Sequence, residues 1–175
     1  MRVLAVAAFI TFALDQISKW VVVVYLNLME RGEIDVLPPL LNFRMAWNRG
    51  INFGLFSGDA DVIRWVLIAV ALAISGWVVV WVRREGLAHG GVSRGVAISA
   101  GLLVGGAIGN VVDRLIYGAV ADFLNMSCCG IENPFAFNVA DIAIFAGAFG
   151  LVIFTGKNDK AGKGGLPAPK RRKTP

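Results

Sequence analysis

The stretch GVAISAGLLVGGAIGNVVDRLI, residues 95–116, carries no charge until Asp113 and Arg114 near its end. An α-helix rising 1.5 Å per residue needs roughly 20 apolar residues to cross a hydrocarbon core about 30 Å thick, and this stretch suffices. Residues 3–26, 62–82 and 135–155 have the same character. With 57% hydrophobic residues and a mean hydropathy of +0.67, the chain is too apolar for an ordinary soluble domain of its length. The expected fold class is all-α integral membrane, with four transmembrane helices. The glycines between Gly101 and Gly109 suit close helix contact; no lysine follows them at the spacing of a phosphate loop.

Residues 3–26 resemble a secretory signal at first, because Arg2 precedes an apolar run. The run resumes after Asp15 and Lys19 as WVVVVY, residues 20–25, which makes it span length and a retained helix. Four spans put both termini on one side. Arg2, Arg83, Arg84, Arg94 and the tail lysines and arginines lie there, whereas the arginines of the opposite loop are balanced by Glu30, Glu33, Asp35, Asp59 and Asp61. Cytoplasmic segments carry the basic excess, so both termini are expected inside. Residues 27–61 then form an external loop, whose alternating apolar segments between turn signals predict a small β-rich unit resting on the membrane, between the first and second helices.

Residues 1–156 are thus expected to be one membrane domain and residues 157–175 a basic, disordered cytoplasmic tail. Lys157, Lys160, Lys163, Lys170, Arg171, Arg172 and Lys173 lie in that tail, beside a hydrophobic span. Anionic phospholipid headgroups are the expected partner, and nucleic acid is not. Cys128 and Cys129 are adjacent, which allows only a strained ring, and no neighbouring Cys or His completes a metal site. They read as small loop residues.

His89, the single histidine, falls in a short glycine-flanked loop on the cytoplasmic side, so a Ser-His protease is not expected. H-E-x-x-H is absent as well. Carboxylates are what remain. Ionisable groups near hydrocarbon are costly unless paired or hydrated, which makes each a functional candidate. Asp122 follows the third span, with no basic residue close in sequence; Asp141 sits early in the fourth, with Asn138 one turn before it, about 9 Å into a helix starting near Phe135. The two spans run in opposite directions, so both aspartates are expected at one membrane face. Close together, like charges leave one carboxyl protonated and one ionised, the arrangement that splitting an amide with water requires. Caps at two separate helix ends are the alternative.

Asn110, Asp113 and Arg114 share one helical side, where Asp113 and Arg114 suggest a structural ion pair at the outer end of the span. Asp15 and Lys19, spaced i, i+4, form a second pair within the first span. The turn from Trp47 through Asn48, Arg49 and Gly50 to Gly54 offers amide and guanidinium donors to a peptide or lipid headgroup on the outer side.

Five segments in order, Asp15-Gln-Ile-Ser-Lys19, Asn48-Arg-Gly-Ile-Asn-Phe-Gly54, Gly109-Asn-Val-Val-Asp-Arg114, Val120-Ala-Asp-Phe123 and Phe137-Asn-Val-Ala-Asp141, resemble the lipoprotein signal peptidase (signal peptidase II) family of bacterial membrane aspartyl proteases. The resemblance covers all four spans and leaves the tail unmatched. It implies that Asp122 and Asp141 are the catalytic pair, and that Asp15, Lys19, Asn48, Gly50, Asn110, Asp113, Arg114 and Asn138 support the site or contact substrate. The implied substrate is a diacylglyceryl-modified prolipoprotein, cut before its lipidated cysteine by a monomeric inner-membrane enzyme whose site faces the periplasm, with no metal or cofactor. Arg49 stands where that motif has a small or polar residue, and Ile51 and Asn52 where small residues are usual in some members. An ion- or proton-coupled carrier with a relay through Asp15, Lys19, Asp113 and Asp141 is the competing expectation, and a non-enzymatic assembly subunit a third.

Overall fold

The computed structural model of the chain describes residues 1–38, 40–50, 60–127 and 133–163. Helix α1 (Arg2–Lys19) continues through a π-helical segment (Trp20–Tyr25) and is followed by the short α2 (Leu28–Arg31). Strands β1 (Glu33–Leu37) and β2 (Leu41–Asn48) come next, then α3 (Ala60–Ala88), α4 (Arg94–Tyr117), β3 (Val120–Asn125), β4 (Ala136–Phe137) and α5 (Val139–Lys163). Three helical stretches, Arg2–Tyr25, Asp61–Ala88 and Arg94–Tyr117, are long and apolar enough to cross a membrane, and Val139–Thr155 is a shorter apolar helix.

Helix α4 is the centre of the bundle, packed against α1, α3 and α5. Its glycines make this possible. A Cβ at Gly101 would collide with Ala7, and one at Gly105 with the backbone of Ala8, so α1 lies directly on this stripe; Gly106 admits the carbonyl of Ala140 at the start of α5 in the same way. Small residues are how helices gain contact in lipid, where apolar burial drives nothing. The outward faces stay apolar: Phe9, Val70 and Phe145 are exposed.

The sheet corrects the sequence reading. Its strand order is β1-β2-β3-β4, all antiparallel, so the segment after α4 supplies half of it and the loop between the first two spans is not a separate unit. Strand β3 is central and buried almost throughout, from Val120 to Phe123 and again at Asn125. Asp122 therefore sits on a strand and not at a helix end. Helix α5 also begins later than expected, at Val139 instead of near Phe135, which puts Asp141 in its first turn and not 9 Å inside. At its other end α5 runs on to Lys163, so residues 157–163 are helical where an irregular tail was expected; residues 164–175 lie outside the described residues, as do Cys128, Cys129 and residues 51–54 of the external turn.

Gly109 is the sharpest test of this packing, since a Cβ there would come within 2.5 Å of Asp15 Oδ2. Gly109→Ala should lower both the thermal midpoint of the detergent-purified protein and its activity. Gly76→Ala, where nothing lies within 4 Å of an added Cβ, should leave both near wild type. Equal effects at the two positions would contradict the α1–α4 contact.

Candidate active site

In a bundle without water, each polar group must find a protein partner. Lys19 is the point where most of them meet. Its Nζ lies 2.8 Å from Asp15 Oδ2 and 2.7 Å from Asp113 Oδ2, and it donates to Asn110 Oδ1 at 3.3 Å. Gln16 Nε2 donates to both carboxylates, at 3.1 Å each. Asp15, Lys19 and Asp113 are all buried. The i, i+4 pair of α1 is thus present, but Asp113 takes Lys19 as its partner and not the adjacent Arg114. That geometry follows from helix direction: residues i and i+1 point about 100° apart and do not face each other.

This buried ion cluster reaches the two candidate aspartates through the backbone. Asp113 Oδ2 accepts the amide of Ala121, next to Asp122, at 3.2 Å. Asp15 Oδ1 accepts the amide of Ala140, next to Asp141, at 3.0 Å. One ammonium and two carboxylates therefore hold the start of β3 and the start of α5 against α1 and α4.

Local sequence then sets the side chains. Asn138 precedes α5 and caps it reciprocally: its Oδ1 accepts from the amide of Asp141 at 2.9 Å, while Asp141 Oδ2 accepts from the amide of Asn138 at 3.2 Å. This is a capping box with Asp in the position where Glu or Gln is usual. Asn138 Nδ2 donates to Asp122 Oδ1 at 2.6 Å and to Asn110 Oδ1 at 3.3 Å. Asn110 Nδ2 donates to Asp141 Oδ1 at 2.9 Å. Two asparagine amides thus stitch the carboxylates into one network.

On β2, Ala46 pairs with Asp122, so Asn48, two residues on, shares its face of the sheet and lies near enough its carboxyl to favour the ionised form. Asn48 Oδ1 also accepts the amide of Gly50 at 3.1 Å. Gly50 needs to be glycine twice over: its φ is +113°, and a Cβ would lie 2.8 Å from Leu67 and 2.9 Å from Ile63. Arg114 Nη1 donates to the carbonyl of Asn110 at 3.2 Å, and Asp141, Asp122 and Asp113 are the carboxylates around its guanidinium. Asp15, Lys19, Asn48, Gly50, Asn110, Asp113, Arg114, Asp122, Asn138 and Asp141 all lie in or beside this network.

The two aspartates occupy different surroundings. Asp122 is 3% exposed, and burial together with the charge of Asp141 pushes its pKa up to about 6, against opposing hydrogen bonds from Asn48 and Asn138 and the charge of Lys19. Asp141 is only half-buried, with both oxygens accepting N–H donors in the first turn of a helix, where negative charge is favoured. Asn48 is exposed, so the site opens to solvent on the β2 side.

Two contributors went unnoticed in the sequence. Gln16 stood inside the Asp15–Lys19 segment as a polar residue in a span, a signal that could have found it. Asn125 is 2% exposed and donates to the carbonyls of Asn133 and Phe135 at 2.7 and 2.9 Å, fixing how the chain returns from β3 toward α5. Among the described residues there is no cluster of three or more His, Cys, Asp or Glu able to hold a metal.

The model of the family described as signal peptidase (SPase) II matches residues 7–156. A lipoprotein signal peptidase of Methylorubrum extorquens is 40% identical over 93% of this chain and 94% of its own length. One from Sphingopyxis alaskensis is 37% identical over 83% of this chain and 80% of its own. A bacterial membrane enzyme solved by the in meso method at 2.3 Å superimposes with a TM-score of 0.70 at 24% identity, covering 99% of this chain and 96% of that one. The fold is shared.

Lys19→Met should show how much hangs on the cluster, because it leaves two buried carboxylates without their cation, at a cost of about 3–5 kcal/mol. The thermal midpoint in detergent should drop sharply. Adding Asp15→Asn and Asp113→Asn to the same protein removes the unpaired charges and should recover most of the loss. A Lys19→Met protein as stable as wild type would show that the cluster holds nothing together.

Proposed function

The chain belongs to the signal peptidase II family, and on that premise we propose that Asp122 and Asp141 are the catalytic pair with which it hydrolyses its substrate. It is an aspartic endopeptidase of the inner membrane that removes signal peptides from prolipoproteins. The observation that carries the site assignment is the pair of asparagine bridges, Asn138 to Asp122 and Asn110 to Asp141. The carrier and assembly-subunit readings have no support in the family, and three of the four residues of the carrier's relay, Asp15, Lys19 and Asp113, are drawn together into one ion cluster.

Asp122, whose carboxyl is raised by burial and by the charge of Asp141, is assigned the part of general acid, and Asp141 that of general base. With the scissile amide between them, Asp141 takes a proton from the attacking water as oxygen bonds to the carbonyl carbon, and Asp122 gives its proton to the carbonyl oxygen. The diol then collapses. Asp141 passes its proton to the amide nitrogen, the C–N bond breaks, and Asp122 recovers a proton from the diol hydroxyl. The bond cut is the one before the diacylglyceryl-modified cysteine. Asn110 and Asn138 hold the two carboxylates in register, Asn48 lies beside Asp122 on the open side next to Gly50, and Arg114 supplies positive charge beside the carboxylates.

In the membrane, α1 with its π-helical segment, α3, α4 and α5 are the four spans, with both termini cytoplasmic and the sheet and site on the periplasmic side. Exposed Trp65 near the start of α3 and exposed Trp77 toward its other end suit the two interfaces. The basic residues between Lys157 and Lys173, at the end of α5 and beyond it, meet anionic phospholipid on the inner face.

Asp122→Asn and Asp141→Asn should each lower cleavage of a lipidated prolipoprotein by roughly 10²–10⁴-fold or more, the worth of a positioned acid or base, while folding survives. Substantial turnover by either variant removes that residue from the pair. For wild type, kcat/KM should decline on the alkaline side through an apparent pKa of about 6, as Asp122 loses its proton. Stability has the same sign. A carboxyl raised above its ordinary 3.8 stabilises the folded state below that pH and loses the contribution as pH rises through about 6. Asp122→Asn should flatten that part of the stability profile, and an unchanged profile would contradict the raised value.

Topology is checked with single cysteines in a Cys128- and Cys129-free background. A cysteine at Asp35 should react with an impermeant reagent outside intact cells, and one at Gly90 only after the membrane is opened. The reverse pattern would put the site in the cytoplasm, where no exported substrate reaches it.

A further inference from the structure

A cavity of about 260 Å³ lies apart from the two aspartates, between the end of β2, the start of α3 and the end of α4. Trp47 and Tyr117 form one wall, with ring centroids 5.6 Å apart, and Arg49, Arg64 and Asp61 supply its charge. None of the five belongs to the network around Asp122 and Asp141 described above. We propose that this cavity binds the phosphodiester headgroup of a membrane phospholipid, with Arg49 and Arg64 holding the phosphate.

The charge pattern points to an anion. Among the described residues Arg64 has one carboxylate within reach, Asp61 Oδ1 at 3.3 Å from Nη2, and that aspartate side chain is 75% exposed, so the pair is loose and solvent-screened. Arg64 Nε is buried and has no hydrogen-bond partner among the described residues. A guanidinium with a spare buried donor, beside a second exposed guanidinium, matches the planar, forked recognition of phosphate oxygens. Asp61, on the same rim, faces whatever follows the phosphate, where hydroxyls or an ammonium would suit it.

The surroundings point to a lipid as the source of that anion. Arg64 and Trp65 stand together near the start of α3, the guanidinium 5.3 Å from the indole centroid, in the interfacial pairing of aromatic and snorkelling cation. Val62 and Val66 on α3, with Leu115 and Ile116 on α4, are exposed apolar residues next to the cavity in sequence. An acyl tail can lie on them while its headgroup fills the cavity. A soluble phosphate would gain nothing from that apolar apron.

The proposal rests on the membrane placement of the spans but not on the assignment of Asp122 and Asp141, and its test needs no turnover. Native mass spectrometry of the purified full-length protein, titrated with phosphatidylglycerol, phosphatidylethanolamine, diacylglycerol or glycerol phosphate, reads occupancy directly. One phospholipid should be retained after the detergent wash. Arg49→Gln with Arg64→Gln should weaken retention about tenfold or more, as loss of charge-assisted hydrogen bonds predicts, and Arg64→Lys, which keeps the charge, should weaken it less. Diacylglycerol should not substitute. Equal binding of glycerol phosphate would make the site one for a free anion, and undiminished phospholipid retention by the double variant would overturn it outright. So would a double variant with unchanged lipid retention but raised KM for prolipoproteins acidic near the cleavage point, since the cavity would then hold peptide. Thermal unfolding of Arg49→Gln alone, at an exposed residue, separates loss of binding from loss of fold.

Discussion

Lys19, held between Asp15 and Asp113 inside the bundle, is the contact on which the other features depend. Charges removed from water cost several kcal/mol each unless their partners are near and their remaining lone pairs are filled. Here the surplus acceptors of the two carboxylates are filled by the amides of Ala121 and Ala140. Satisfying a local electrostatic demand in α1 and α4 therefore positions the residues beside Asp122 and Asp141.

The ion cluster can form only because α1 and α4 come unusually close. Gly101, Gly105 and Gly109 recur every fourth position on one face of α4, and Gly109 leaves room for the carboxylate of Asp15. Packing and electrostatics are thus one device: without the glycines, Asp15 could not lie where Gln16, Lys19 and Ala140 all reach it. The sheet adds the remaining constraint. Buried Asn125 ties the chain leaving β3 to Asn133 and Phe135, so β3 delivers Asp122 from the strand side while α5 delivers Asp141 from the helix side.

That difference in delivery separates the two carboxyls chemically. A central strand buries Asp122 and disfavours its charge, whereas the first turn of a helix offers Asp141 one backbone donor, the amide of Asn138, and a favourable dipole. Under the proposed assignment, identical side chains take opposite parts in acid–base chemistry because of the backbone that carries them. The bridging amides of Asn110 and Asn138 keep both in place while donating no proton of their own.

Apolar runs long enough to cross a bilayer, and the aspartates, asparagines and Lys19 interrupting them, were legible directly, because polarity inside such segments is costly and stands out residue by residue. The i, i+4 relation of Asp15 and Lys19 was equally plain. Spacing along the chain could not tell that Asp113 would turn to Lys19, 94 positions earlier, and not to Arg114 beside it, since that choice depends on which faces of α1 and α4 meet. Nor could it place Asp122 on a strand: the run VADFLN is short, and only pairing with β2 makes it β-structure. Local chemistry marks which residues matter, and the closeness of the helices, which no single segment encodes, decides which of them touch.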